Sequence, residues 1–220
     1  MSPAQRHHTA LQRRTLLRRV APLGLAWATT LAQASSPTAM VSIPETTFVM
    51  GCEDEICLDN TLPAAPVTVS AFEIDRTEVT RAQYDACVAE GGCEATTSTA
   101  DPADWAELPM TGMSFTEASE YCAFLGARLP TEAEWELAAR GPNSQRFPWG
   151  DQTPDCSHAS LPGCGQPLAP VGTHPLGESP YGIHDLVGNA LELVSDGYDP
   201  TPFQARGPSF TPSPLSLFMR

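Results

Sequence analysis

Three stretches of this chain place apolar residues at helical spacing behind a hydroxyl residue that is followed, three positions on, by Gln or Glu. Thr80 with Gln83, Ser114 with Glu117 and Thr131 with Glu134 each fit a capping box, in which side chains and backbone satisfy one another at a helix start. Behind the first, Tyr84, Cys87 and Val88 form a stripe that Gly91 and Gly92 end. Behind the second, Ala118, Tyr121, Cys122 and Leu125 run to Gly126. In the third, Pro130 stops an earlier start, Trp135, Ala138 and Ala139 share a face, Arg140 suits the negative helix end, and Gly141 can take a left-handed exit. Glu132, Glu134 and Glu136 read as a favourable dipole and a solvated face. Residues 41–43 and 46–50 read as a short strand pair, and 67–69 followed by 72–74 as one bent strand with alternating burial. Residues 94–108 read as a polar and acidic loop with Trp105 tucked onto the core. Beyond Gly150 loops dominate. Sparse strands, short helices and long ordered loops, punctuated by 22 Pro and 16 Gly, give an α+β class.

The first 34 residues differ in kind. Arg6, Arg13, Arg14, Arg18 and Arg19 precede an apolar stretch from Val20 to Leu31 and the small-residue pattern Ala32-Gln33-Ala34, which reads as an export signal cut after residue 34. Its paired arginines fit a twin-arginine signal or a general secretory one. Pro22 and Gly24 interrupt the stretch, so it is no secure membrane span, and the mature chain is expected in the periplasm or outside the cell. All 26 acidic residues follow the cut with seven of the 12 arginines, and the chain has no lysine, so the mature formal charge is −19. Such a surface repels phosphate backbones and anionic lipid, which disfavours nucleic-acid and membrane-surface binding and points to divalent cations and basic peptide or protein ligands. Seven cysteines in an exported chain suggest disulfides, and pairing neighbours in sequence gives Cys52–Cys57, Cys87–Cys93 and Cys156–Cys164, with Cys122 left over. His158, His174 and His184 lack metal-ligand spacing with the cysteines, which argues against zinc.

The string RLPTEAEWELAARG at residues 128–141 resembles a signature segment of the sulfatase-modifying-factor family, whose best-known members are formylglycine-generating enzymes. Other segments match in order: FVMG at 48–51, IDRTEVTRAQY at 74–84, FPWG at 147–150, PVG at 170–172, YG at 181–182 and LVGNALE at 186–192. The resemblance implies the C-type-lectin-like fold of the formylglycine-generating type, with little regular secondary structure. It covers residues 41–199, after the export signal and a linker at 35–40. Residues 200–220 hold five prolines, which prevent helix and central strand alike, and read as a disordered tail. The resemblance places closing strands and an active site there. Arg206-Gly207-Pro208-Ser209-Phe210 only echoes the first of those strands, so the C-terminal strands read as missing, through a frameshift or through divergence.

In catalytic members, the resemblance implies, a cysteine pair in that region binds copper and, with oxygen, oxidises a substrate cysteine to formylglycine. No cysteine follows Cys164 here, and no catalytic residue is assigned. The family's calcium loop maps onto this chain with a side-chain oxygen from Asp185, main-chain oxygens from Gly188 and Ala190, and the Glu192 carboxylate, the hard-oxygen set that Ca²⁺ prefers. Leu191 and Leu193 stand where the family has Trp. The family's second calcium site begins from an Asn that aligns with Ser160 and is not carried over. Three readings follow: a calcium-stabilised scaffold or binding module without oxidase chemistry, which is favoured; a formylglycine-generating oxidase; and a truncated fragment without function.

Overall fold

Four strands form two antiparallel pairs in one continuous register, a bent ribbon. β1 (Met40–Ile43) and β2 (Thr46–Met50) run along one side, β3 (Ala65–Val69) and β4 (Phe72–Asp75) along the other. β1 pairs with β4 and β2 with β3, from Met40 opposite Asp75 to Met50 opposite Ala65. Both sides break for two residues at the same level, and the register continues through the break. The expected pairing of residues 41–43 with 46–50 is therefore corrected. Two-residue hairpins need φ > 0, which Asn-Gly or Gly-X supplies; Pro44-Glu45 supplies neither, and neither residue has positive φ. The chain bends there and continues, and the buried positions shift from Val41 and Ile43 to Phe48 and Met50. The bent-strand expectation for 67–74 describes the opposite side well.

The structure, a computed structural model, describes residues 39–52, 63–96, 105–165 and 168–197. The expectations for the export signal, the Cys57 half of the first disulfide, the side chain of Trp105 and the proline-rich tail lie outside them. All described residues belong to the larger of two units into which the chain divides, Gln33–Arg220.

All three helices start as their capping boxes require. They are α1 (Arg81–Ala89), α2 (Phe115–Phe124) and α3 (Glu132–Arg140), capped by Thr80, Ser114 and Thr131. Short 3₁₀ turns at Trp105–Glu107 and Pro175–Gly177 are the remaining helical pieces among the described residues. One core lies between the ribbon and α3. Val41, Ile43, Phe48, Met50 and Val69 meet Leu137, Ala138 and Ala139, and loop residues Ile183 and Leu186 close it. Two adjacent alanines let the helix approach closely, while Leu137, with no exposed surface, contributes roughly 2 kcal/mol by leaving water. A smaller cluster joins α1 to α2 through Tyr84, Cys87 and Tyr121, with ring centroids of the two tyrosines 5.7 Å apart.

α3 is tied down at both ends. Glu134 accepts from Thr131 N at 2.8 Å and from both arms of Arg128 at 2.7 and 2.6 Å. Burial alone would raise its pKa, but the Arg128 and Thr131 donors pull it below the ordinary value. Asp196 adds a second cap from far along the chain, accepting from Glu132 N at 2.5 Å, and Ser195 N donates to Pro130 O at 2.7 Å. At the other end Glu136 accepts from Gly51 N at 2.8 Å and from Arg140. Glu134 and Glu136 are thus not a solvated face; the glutamates that look like surface decoration hold the helix to its surroundings. Gly141 leaves the helix at φ 68°, and a side chain there would meet Pro180. Its ψ of −175° makes the exit an extended one with positive φ. Disulfides join Cys87 to Cys93 and Cys156 to Cys164 as expected; Cys52 is also disulfide-bonded, and Cys122 is a free thiol.

Candidate cation site

The loop from Asp185 to Glu192 is built from conformations that most residues avoid. Asp185 at φ 59° and Asn189 at φ 52° are left-handed without being glycine, at a cost of order 1 kcal/mol each, and Gly188 sits at φ 80°. Contacts from three other segments impose this shape. Asn189 N donates to Ser160 O at 2.9 Å, its side-chain oxygen accepts from Ala169 N at 2.9 Å, and its amide donates to Glu78 at 2.7 Å. Glu78 also accepts from Ala190 N at 2.9 Å. Gly188 lies so close to Ser160 that a Cβ would come within 2.3 Å of its carbonyl oxygen, so no larger residue fits without moving the backbone.

The four predicted site residues lie along this loop. Asp185 is buried, and its Oδ2 accepts from Gly172 N at 2.6 Å. Glu192 is partly buried, and its Oε2 accepts from Trp135 Nε1 at 2.9 Å. The bulky anchor of α3 therefore also orients an acidic group of the loop. One oxygen of each carboxylate remains without a described donor, as do the carbonyl oxygens of Gly188 and Ala190.

Three carboxylates crowd the region. Burial, reinforced by the charge of Asp185 and opposed by the Trp135 hydrogen bond, pushes Glu192 up to about 7. Glu78 is pushed up to about 9, first by burial and then by the charges of Glu192 and Asp185, with the Ala190 and Asn189 donors opposing. No ion pair with a basic residue relieves any of the three among the described residues. Buried carboxylates of this kind favour a proton or a cation. No group of three or more His, Cys, Asp or Glu side chains among the described residues is placed to cage a metal. A cation here would draw two carboxylates and the two open main-chain oxygens, which is the oxygen-rich, partly main-chain set that suits Ca²⁺ and leaves waters to complete the shell. The donor set fits.

Glu78 and Asn189 escape a reading of the sequence as site residues. Both stand inside matched segments, but a side chain that grips the loop from 111 positions away leaves no local pattern. His158 pairs with Asp155 at 2.9 Å and stacks on Trp149 at 4.7 Å, and Trp149 stacks on Phe147 beneath Arg146. The Ser157 hydroxyl, then the Ser157 amide and His158, hold Asp155 down to about 2.

A bent ribbon, three capped helices and a loop-built acidic centre define an α+β domain whose working part is irregular backbone. A family profile described as the sulfatase-modifying factor enzyme 1-like domain matches residues 28–219, and the chain belongs to that family. Over 194 residues it is 34% identical to a hercynine oxygenase of Mycolicibacterium thermoresistibile, covering 70% of this chain and 43% of that protein. It is 32% identical to the formylglycine-generating enzyme of Bos taurus, covering 74% and 59%. To the inactive C-alpha-formylglycine-generating enzyme 2 of Mus musculus it is 28% identical, covering 77% and 72%. The chain thus spans less than half the length of the hercynine oxygenase it matches. Among solved structures, PvdO from Pseudomonas aeruginosa superposes with a TM-score of 0.67 at 25% identity, over 80% of this chain and 76% of that one. The C-type-lectin-like, formylglycine-generating-enzyme-type fold holds.

Proposed function

We propose that this chain is an exported, calcium-stabilised scaffold or binding module of the family, without formylglycine oxidase chemistry of its own. The observation that carries the reading is the loop at 185–192, where the carboxylates of Asp185 and Glu192 have no basic partner among the described residues and the Gly188 and Ala190 main-chain oxygens have no described donor. A bound Ca²⁺ would neutralise those carboxylates and cross-link the loop. The net charge of −14, with no lysine in the chain, suits a basic peptide or protein as the ligand of the outer surface.

The cysteines support the absence of oxidase chemistry. Two soft thiolates suit a cuprous ion, and Cys52, Cys87, Cys93, Cys156 and Cys164 are committed to disulfides. Cys122 stands apart from them as a free thiol, raised in pKa by burial and by Asp75. The competing reading, a formylglycine-generating oxidase, draws on the names of the hercynine oxygenase and the bovine enzyme. Incubating the protein with copper, air and a cysteine-containing sulfatase-type peptide separates the two. The peptide mass is expected to stay unchanged, and the loss of mass that accompanies conversion of thiol to aldehyde would overturn the proposal.

A further inference from the structure

We infer that the ring closed by Cys156–Cys164 is a clamp on the cation loop, so that opening this disulfide weakens divalent-cation binding at residues 185–192. The inference rests on the calcium reading of that loop. Ser160, inside the ring, accepts the Asn189 amide at 2.9 Å, and the ring backbone presses on Gly188 so closely that a Cβ there would lie 2.3 Å from Ser160 O and 3.2 Å from Leu161 Cδ2. Asn189 stands between Gly188 and Ala190, the two residues whose main-chain oxygens are open. The ring therefore bears on the part of the loop where ligand positions depend on backbone shape.

The far end of the ring is fixed. Asp155, just before Cys156, accepts from Ser157 N at 2.8 Å and pairs with His158, whose ring is stacked on Trp149. The His158 carbonyl packs against Gly177 so tightly that a Cβ there would come within 2.0 Å. Ala159 and Ser160 are buried. With one end anchored, the disulfide keeps residues 160 and 161 against the loop; without it, residues 161–164 can swing away from Gly188 and loosen the Ser160 contact with the Asn189 amide, while Ala169 and Glu78 still hold the Asn189 side chain. Asn189, left-handed at φ 52°, would then lose part of what imposes its conformation.

The disulfide is also reachable. Cys156 is exposed and Cys164 partly so, whereas Cys87 of the Cys87–Cys93 bridge is only 2% exposed. A dithiol reductant would deliver two electrons and two protons to the bridge, leaving Cys156 and Cys164 as thiols and departing as its own cyclic disulfide.

The test treats the wild-type protein with graded dithiol, maps the opened bridge by alkylation and mass spectrometry, and follows calcium affinity by calorimetry and the Asn189 amide by hydrogen exchange. Cys156–Cys164 is expected to open before Cys87–Cys93, with calcium Kd and Asn189 exchange each rising at least tenfold. The double variant Cys156→Ser/Cys164→Ser should reproduce both effects, while Cys87→Ser/Cys93→Ser should leave the calcium Kd within twofold. A protein that binds calcium with the same affinity whether the ring is open or closed overturns the clamp alone. An oxidised protein that takes up no calcium overturns the cation reading, and the clamp with it.

Discussion

Replacing Arg140 by alanine is expected to cost about 3 kcal/mol or more of unfolding free energy, read by chemical denaturation. Its guanidinium donates to Gly51 O at 2.7 Å, Gln145 O at 2.8 Å and Ser144 O at 3.0 Å, and it pairs with Glu136. One side chain thus holds the end of β2, the turn after α3 and the helix itself. Removing it leaves Glu136, whose side chain is 12% exposed, as a partly buried anion, with the Gly51 amide as its remaining described donor. Arg140→Lys keeps the charge but cannot reach three carbonyls in a fixed fork, so it should fall between the wild type and the alanine variant. A loss below about 0.5 kcal/mol for the alanine variant, the scale of an ordinary surface substitution, would show that the network does not hold the core together.

The cation-free protein is expected to lose stability as pH rises from about 5 to 9, by a few kcal/mol in sum. Glu78 at about 9 and Glu192 at about 7 both lie above the ordinary value of 4.5. Between 4.5 and those values the folded state holds more protons than the unfolded one, so each rise in pH favours unfolding. Calcium reverses the trend, because its ligands must be ionised and binding releases their protons. The difference in melting temperature between calcium-loaded and chelator-treated protein should therefore widen from pH 5 to pH 8. At a hundredfold excess over Kd, a site of this kind adds about 2.7 kcal/mol, worth roughly 5–10 °C in a domain of this size. Melting curves that coincide with and without calcium at pH 8 would remove the role assigned to the loop.

What the sequence made legible is what lies within a few residues. Each capping box is an i, i+3 relation, and Thr80, Ser114 and Thr131 cap the helices their neighbours announce. The strand segments were legible too, since Phe48, Met50 and Val69 alternate with exposed positions. Their partners were not. Two residues between strands suggest a hairpin, and only the chemistry of Pro44-Glu45, which offers no positive φ, argues against one. Glu134 and Glu136 look like ordinary helix glutamates because Arg128 and Thr131 on one side, and Gly51 and Arg140 on the other, become partners only in the folded chain. Asp196 caps α3 from 64 positions away. The site divides in the same way. Asp185, Gly188, Ala190 and Glu192 are contiguous enough to be carried by a family motif, whereas Glu78 and Trp135 reach the loop across 111 and 57 positions.

A calorimetric titration of calcium into chelator-treated protein at pH 8, with Asp185→Asn and Glu192→Gln beside the wild type, reads the loop's role as a calcium site. One site per chain is expected, with a Kd of about 10⁻⁶ to 10⁻³ M and at least tenfold weaker binding in each variant. A wild-type protein that shows no uptake at millimolar calcium, or variants that bind as tightly as it does, would contradict that role.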